Sequence, residues 1–208
     1  MQKLLLMVFL SLPFQCSPVF SSDEKDTSKC ASILNSVDRL ACYDEIFQKK
    51  DRSISNAQNS SVGKWEISST LSKIDDKLNV TLLVTSDNEI SDRYGRFGNA
   101  ILVIACREAK TDMYFNFANN FMTDNQNYGE VIVRLDKAAA RTVRMRESTD
   151  NKALGLWNGA GTTFIKTMIG AQRLLARAVP FNENPVDVEF TITGLEEAIK
   201  PLRKACNW

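Results

Sequence analysis

The chain has 208 residues, with 26 Lys and Arg against 25 Asp and Glu, and it contains no histidine. Without an imidazole, Ser-His-Asp and Cys-His catalysis, His-ligated zinc and HExxH metalloprotease chemistry are excluded. The near-balance of charge argues against a nucleic-acid binder, which carries a basic excess. The composition, 44% hydrophobic and 25% charged, is that of a globular chain long enough to bury a core.

Residues 1–21 read as a secretory signal peptide. Lys3 supplies the positive start, residues 4–12 are an apolar run too short to span a bilayer, and Val19 and Ser21 are small residues placed for a cut before Ser22. A lipoprotein reading through Cys16 is weaker, because Phe14 and Gln15 stand where small residues are wanted. Removing the leader leaves Cys30, Cys42, Cys106 and Cys206, an even set that predicts two disulfides in an exported protein. No later stretch approaches transmembrane length, so a soluble periplasmic protein is expected.

Residues 22–48 form an N-terminal helical segment in this reading. Ser36 is a plausible N-cap, and Val37, Leu40, Ala41, Asp44 and Phe47 recur at helical spacing. On one continuous helix Cys30 and Cys42 would stand about 18 Å apart. The chain therefore folds back near Asn35, giving a short helical turn, a bend, and a longer helix closed by Cys30–Cys42. Residues 49–63 are polar and rich in Ser and Asn, a linker, and the main domain spans 64–208.

From Trp65 the hydrophobic period becomes two. Trp65, Ile67 and Leu71 share a face, Asp75, Asp76 and Lys77 make a turn, and Leu78, Val80, Leu82 and Val84 form the partner strand. A loop is expected over 87–98, then a central strand at 101–104, apolar on both faces. A turn at 108–111 leads into 113–117, and the Asn-rich stretch 116–127 reads as an exposed loop. Val131, Val133 and Leu135 alternate, as do Val143 and Met145 across a turn at 136–141, and 154–157 adds a short strand.

Residues 162–179 then read as a helix with Phe164, Ile165, Met168, Ile169 and Leu175 on a wide apolar face. Val186, Val188, Phe190 and Ile192 point inward along a strand over 185–193. Thr193 to Glu196 resembles a capping box opening the last helix, whose apolar side is Leu195, Ile199, Leu202 and Cys206, with a kink at Pro201. That side aims Cys206 at the sheet and predicts a Cys106–Cys206 bridge. The fold class is α+β: an antiparallel sheet or sandwich of about seven or eight strands with C-terminal helices packed on it.

Catalytic signals are weak. Asp75-Asp76 and Glu196-Glu197 are explained by a turn and a cap rather than by a dyad, and no phosphate-loop, dinucleotide or nucleophile-elbow motif occurs. The cysteines lack CxxC spacing, so no metal or other cofactor is expected. Residues 130–146 are more suggestive. Arg134, Lys137, Arg141, Arg144 and Arg146 outnumber Glu130 and Asp136 and form a candidate patch for an acidic partner, with Arg144 and Arg146 on one strand face. Trp65, Trp157 and Trp208 lie near element ends and are expected to pack, with a place on a partner surface as the sharper alternative.

Three patterns in order carry a family resemblance. The first is Cys30-Ala31-x-Ile33 followed by Arg39-Leu40-Ala41-Cys42-Tyr43-Asp44. The second runs from Trp65 through Ser72, Asp75 and Asp76 to Cys106-Arg107. The third is Phe190, Gly194 and Leu195 with the ending Pro201 to Trp208, supported by Arg134-Leu135-Asp136. Together they resemble the type VI secretion-associated VasI or TagO proteins across nearly all of the mature chain. That resemblance implies export to the periplasm of a Gram-negative bacterium and a non-enzymatic accessory role, binding a protein of the envelope or secretion apparatus. It transfers no catalytic residue. A carboxylate-based enzyme acting on peptidoglycan, and an immunity- or inhibitor-type binder of a foreign enzyme, are the alternatives.

Overall fold

The computed structural model describes residues 29–46 and 61–208. The expected leader and residues 47–60 of the segment and linker lie outside the described residues. The chain divides into two compact units, residues 1–54 and 55–208.

In the first unit, helical residues 29–31 and 36–46 flank a bend at 32–35. The fold-back brings the Cα atoms of Cys30 and Cys42 to 5.5 Å, and the two are disulfide-bonded. The cap of the second helix is Asn35 rather than Ser36. Its Oδ1 accepts the Val37 N–H at 2.9 Å, two residues on, as N-cap geometry requires. Asn and Ser cap equally well, so adjacent candidates are separated only by backbone geometry.

In the second unit the elements run β1 (Glu66–Leu71), β2 (Leu78–Ser91), β3 (Phe97–Arg107), β4 (Lys110–Asn116), β5 (Glu130–Leu135), β6 (Arg141–Arg144), β7 (Arg146–Glu147), β8 (Ala153–Leu156), α1 (Thr162–Met168), β9 (Arg173–Ala178), β10 (Val186–Thr191), α2 (Leu195–Ala198) and α3 (Lys200–Cys206). Two antiparallel sheets result. One has the order β1-β2-β3-β4-β8-β7 and the other β10-β9-β5-β6. Period-two alternation builds the core between them. Val80, Leu82 and Val84, Leu102 and Ile104, and Met113 and Phe115 from the first sheet cluster with Val131, Val133, Leu174, Ala176, Val188 and Phe190 from the second. The Phe115 and Phe190 rings meet at 5.8 Å. Burying each large side chain stabilises the fold by about 1.5–3 kcal/mol.

The α+β class holds, with differences in detail. The stretch 162–179 is not one helix. Gly170, at φ +85°, follows α1, and Leu174, Ala176 and Ala178 then alternate inward as β9. Phe164, Ile165 and Met168 have helical spacing by themselves, and Leu175 belongs to the strand's other face. The expected loop at 87–98 shrinks to the turn 92–96, because β2 continues through a bulge between Thr85 and Glu89. At that bulge the Asn88 side chain donates to the Asp187 carbonyl (2.9 Å) and accepts from the Glu189 N–H (2.8 Å), tying β2 to β10 of the other sheet. The Asn-rich loop is packed at its base, where Phe117, Asn120, Met122 and Thr123 are buried. Of the β1 face, Trp65 is buried and its Nε1 donates to the Ile192 carbonyl, whereas Ile67 and Leu71 remain exposed on an edge strand.

No capping box forms. Gly194 caps α2 at φ +84° without a side-chain hydrogen bond. A Cβ there would run into the backbone of Val62, so the close approach of 62–63 to 193–194 demands glycine. Pro201 sits in the first turn of α3, where its missing N–H costs nothing, and the helix breaks at Ile199 rather than kinking. Leu195, Ile199, Leu202 and Cys206 are buried, and Cys206 is bonded to Cys106 across 100 residues. In the chain-entropy picture a loop of that length is worth about 4.7 kcal/mol.

The double variant Cys106→Ser/Cys206→Ser is expected to lose about 2–5 kcal/mol in non-reducing urea denaturation, and reductant should lower the parent protein similarly. A second outcome concerns Asp92, whose covered carboxylate orders the 92–96 turn. Burial pushes its pKa up. Hydrogen bonds from the Arg96 N–H and guanidinium and from the Tyr94 N–H outweigh burial and hold it below the ordinary 3.8. A depressed carboxylate contributes stability above its unfolded pKa, and this is lost as pH falls through the folded value. Asp92→Asn should therefore be less stable than the parent at neutral pH, with the gap closing in acid below pH 3.8.

Candidate functional site

Alternation fixes what each strand shows on the outer face of the six-stranded sheet. With Met113 and Phe115 inward, β4 turns Asp112, Tyr114 and Asn116 outward. Its neighbour β8, with Leu154 inward, turns out Ala153 and Gly155, both small. Beyond β8, Arg146 of β7 lies opposite Gly155, as Tyr114 does on the other side. Small residues between large ones make β8 the floor of a furrow. The resulting open cleft has a volume of about 910 Å³.

Trp157 follows β8 and folds back over the floor. Its ring lies 5.1 Å from that of Tyr114 at an interplanar angle of 30°, and its Nε1 donates to the Arg146 carbonyl at 3.0 Å. A Cβ at residue 155 would stand 2.6 Å from the Tyr114 Cβ and 2.8 Å from the Trp157 ring, so glycine is required there by space alone. The rings are thus fixed before any ligand arrives.

Three arginines line the cleft: Arg107, Arg144 and Arg146. Register places Arg107, at the end of β3, toward the Trp157 end, while Asn116 and the loop 147–150 stand toward the Ala153 end. The two acids in the lining are already engaged. Glu147 Oε2 accepts the Asp124 N–H at 3.1 Å, and Asp150 accepts from the Ser148 hydroxyl at 2.6 Å and from the Lys152 N–H. Those bonds, Ser148 foremost, hold the Asp150 carboxyl below its ordinary pKa.

Ion-pair geometry separates two kinds of arginine. On the outer face of the four-stranded sheet Arg177 grips Asp187 through two bonds of 2.6 and 2.7 Å, and Arg173 meets Glu189 at 2.6 Å. The cleft arginines have looser acidic contacts: 3.2 Å for Arg107 to Asp112, and 3.5 Å each for Arg144 to Glu130 and Arg146 to Asp124. The Arg146 side chain is 83% exposed. Exposed pairs at such distances contribute about 0–1 kcal/mol, so Arg107 and Arg146 retain donors for a carboxylate. Arg144 also donates to the Gln126 carbonyl at 2.7 Å and offers those donors that Gln126 does not engage.

The expected basic patch is therefore divided. Arg144 and Arg146 come together at the cleft. Arg134 donates to the Ala138 carbonyl within its own turn, and Lys137 lies in the β5–β6 turn. Arg141 turns to α1, covering the Phe164 ring at 4.9 Å and donating to Thr167. Arg107, Tyr114 and Trp157 were not among the expected site residues. Trp157 was expected to pack, and Arg107 and Tyr114 reach the site only through register. Of the acid pairs, Asp75 lies in the β1–β2 turn and is ion-paired with Lys77, and Glu197 is paired with Lys200. No cluster of metal-ligating side chains occurs among the described residues.

Fold and site define a disulfide-stapled β-sandwich with a basic, aromatic surface cleft. The sequence matches the family described as Type VI secretion system VasI, EvfG, VC_A0118 over residues 29–208, and the chain belongs to that family. It is accordingly a protein associated with type VI secretion. No curated protein matches the sequence. Among solved structures, the chain is similar to invasion associated protein b of Bartonella henselae, at 10% identity and a TM-score of 0.47, covering 71% of this chain and 96% of that one.

Gly155→Ala is expected to displace Trp157 from Tyr114, change the near-ultraviolet circular dichroism, and cost about 1–3 kcal/mol. An unchanged aromatic spectrum would show that the furrow tolerates a methyl group.

Proposed function

We propose that this protein is a periplasmic, non-enzymatic accessory component of a type VI secretion system that binds a protein of the envelope or apparatus through the cleft. The reading of residues 1–21 as a leader and the two disulfides support an oxidising, exported setting. Family membership supports the association with secretion. The observation that carries the binding role is the convergence of Arg144 and Arg146. They belong to strands of different sheets, yet both line one cleft, with acidic contacts of 3.5 Å each and, for Arg144, a bond to the Gln126 carbonyl at 2.7 Å. An interface built on such groups gains encounter rate and selectivity for an acidic partner.

The test is affinity capture from periplasm with tagged parent protein and with Arg144→Glu/Arg146→Glu, the captured proteins being identified by mass spectrometry. Both side chains are exposed, so thermal unfolding of the variant should match the parent. Partner recovery should drop at least tenfold and should fall in the parent as salt rises. Undiminished recovery by a folded variant removes the cleft from the function.

A further inference from the structure

We infer that the cleft receives an extended acidic peptide segment of a partner protein, with carboxylates and aromatic side chains on alternate residues. The inference rests on the proposed reading of the cleft as the partner face, and it specifies the chemistry of what enters.

Three features of the furrow select that occupant. First, its floor is a strand. The outward residues of β8 are Ala153 and Gly155, so an incoming chain meets the small Ala153 side chain and, over Gly155, the face of the Trp157 ring. Second, the two walls differ. On one side stand the Tyr114 ring and, folded over Gly155, the stacked Trp157 ring. On the other stand Arg146 and Arg144. Successive side chains of an extended segment point in opposite directions. An alternating acidic and aromatic sequence therefore sends every carboxylate to the guanidinium wall and every ring to the indole and phenol. Third, the volume of about 910 Å³ suits a segment of several residues rather than a folded domain.

Charge sets the sign of the ligand. The lining acids are engaged with internal donors, Glu147 with Asp124 N–H and Asp150 with Ser148 and Lys152. Arg146 and Arg107 keep most of their donors, Arg107 holding Asp112 at 3.2 Å at the Trp157 end, and Arg144 keeps those not given to the Gln126 carbonyl. A guanidinium is the side chain best shaped to take a carboxylate through two bonds. A basic segment would instead meet three positive charges, and a neutral one would leave them without new partners.

The experiment titrates the full-length mature protein with three acetylated, amidated pentapeptides and follows tryptophan fluorescence and calorimetric heat. The peptides are Glu-Phe-Glu-Phe-Glu, the same with Lys for Glu, and the same with Ser for Phe. The first should bind and perturb tryptophan emission. The Lys peptide should not bind, and the Ser peptide should bind about tenfold more weakly, as the loss of ring stacking implies. Arg107→Gln, Arg144→Gln and Arg146→Gln should each weaken the first peptide by about three- to tenfold. Trp157→Phe should remove most of the emission change.

Equal affinity for the three peptides, or affinity unmoved by the Arg→Gln variants, overturns the inference. So does co-sedimentation with purified peptidoglycan that the first peptide fails to compete. If the peptide does not bind while charge reversal still abolishes partner capture, the cleft is the partner face but its ligand is not of this class. If the peptide binds as described while charge reversal leaves capture unchanged, the inferred chemistry stands and the partner reading falls.

Discussion

Met145 is fully buried, and the chain leaves one sheet and enters the other as it passes through it. Its N–H donates to the Gly129 carbonyl at 2.8 Å, which anchors the crossing between β6 and β7. Side chains alternate along an extended chain, so the residues on either side of an inward methionine must face out. Because the crossing occurs at that methionine, Arg144 emerges from the edge of the four-stranded sheet and Arg146 from the edge of the six-stranded one. The corner that closes this side of the core is thus the same feature that delivers two arginines to one cleft.

The sandwich treats its surface arginines in two ways. Those on the outer face of the four-stranded sheet are spent on short cross-strand pairs, with Arg177 opposite Asp187 and Arg173 opposite Glu189. Hydrogen bonding from Arg177 is the main reason the Asp187 carboxyl lies below its ordinary pKa. The cleft arginines have longer acidic contacts, and exchanging a weak exposed pair for a ligand carboxylate costs little. Against them the aromatic wall is already ordered, because Gly155, the Tyr114 ring and the Arg146 carbonyl fix Trp157. Rigid rings beside exchangeable charges reduce the ordering cost of binding without removing selectivity for charge.

Much of the fold was legible because period-two alternation survives translation from sequence to sheet. The inward sets in β5 and β10 are the ones the sequence shows, as are Val80, Leu82 and Val84 of β2, while Leu78 at its start stays exposed at the sheet's end; both disulfides join the expected cysteines. Legibility failed where two periods met. Phe164, Ile165 and Met168 describe a helix, and reading Leu175 into the same face hid the alternation of Leu174, Ala176 and Ala178. It failed again where backbone geometry decides between equals, as with Asn35 against Ser36 as a cap, or where a tertiary contact overrides a local motif, as with Gly194 pressed on Val62 in place of a Thr193 cap. Of the site, Arg144 and Arg146 were visible as charges two apart. Arg107 and Tyr114 were not, because they lie thirty or more positions earlier in the chain and join the cleft only through the register β3-β4-β8-β7.

The Cys106–Cys206 staple links the core to one end of the cleft. Cys106 is paired in register with Thr111, the next residue along β3 is Arg107, and the next along β4 is Asp112. Thr111 accepts the Trp208 indole N–H at 2.8 Å, so the disulfide and the C-terminal tryptophan hold the same end of the β3–β4 hairpin from one side. On the other side Asp112 takes the Asn158 N–H at 2.7 Å and the Arg107 guanidinium at 3.2 Å. Arg107 therefore stands on a hairpin end clamped at its inner face by covalent and hydrogen bonds. The Arg107 side chain thus springs from a backbone held in place beside the Asp112 and Asn158 contact, at the Trp157 end of the cleft.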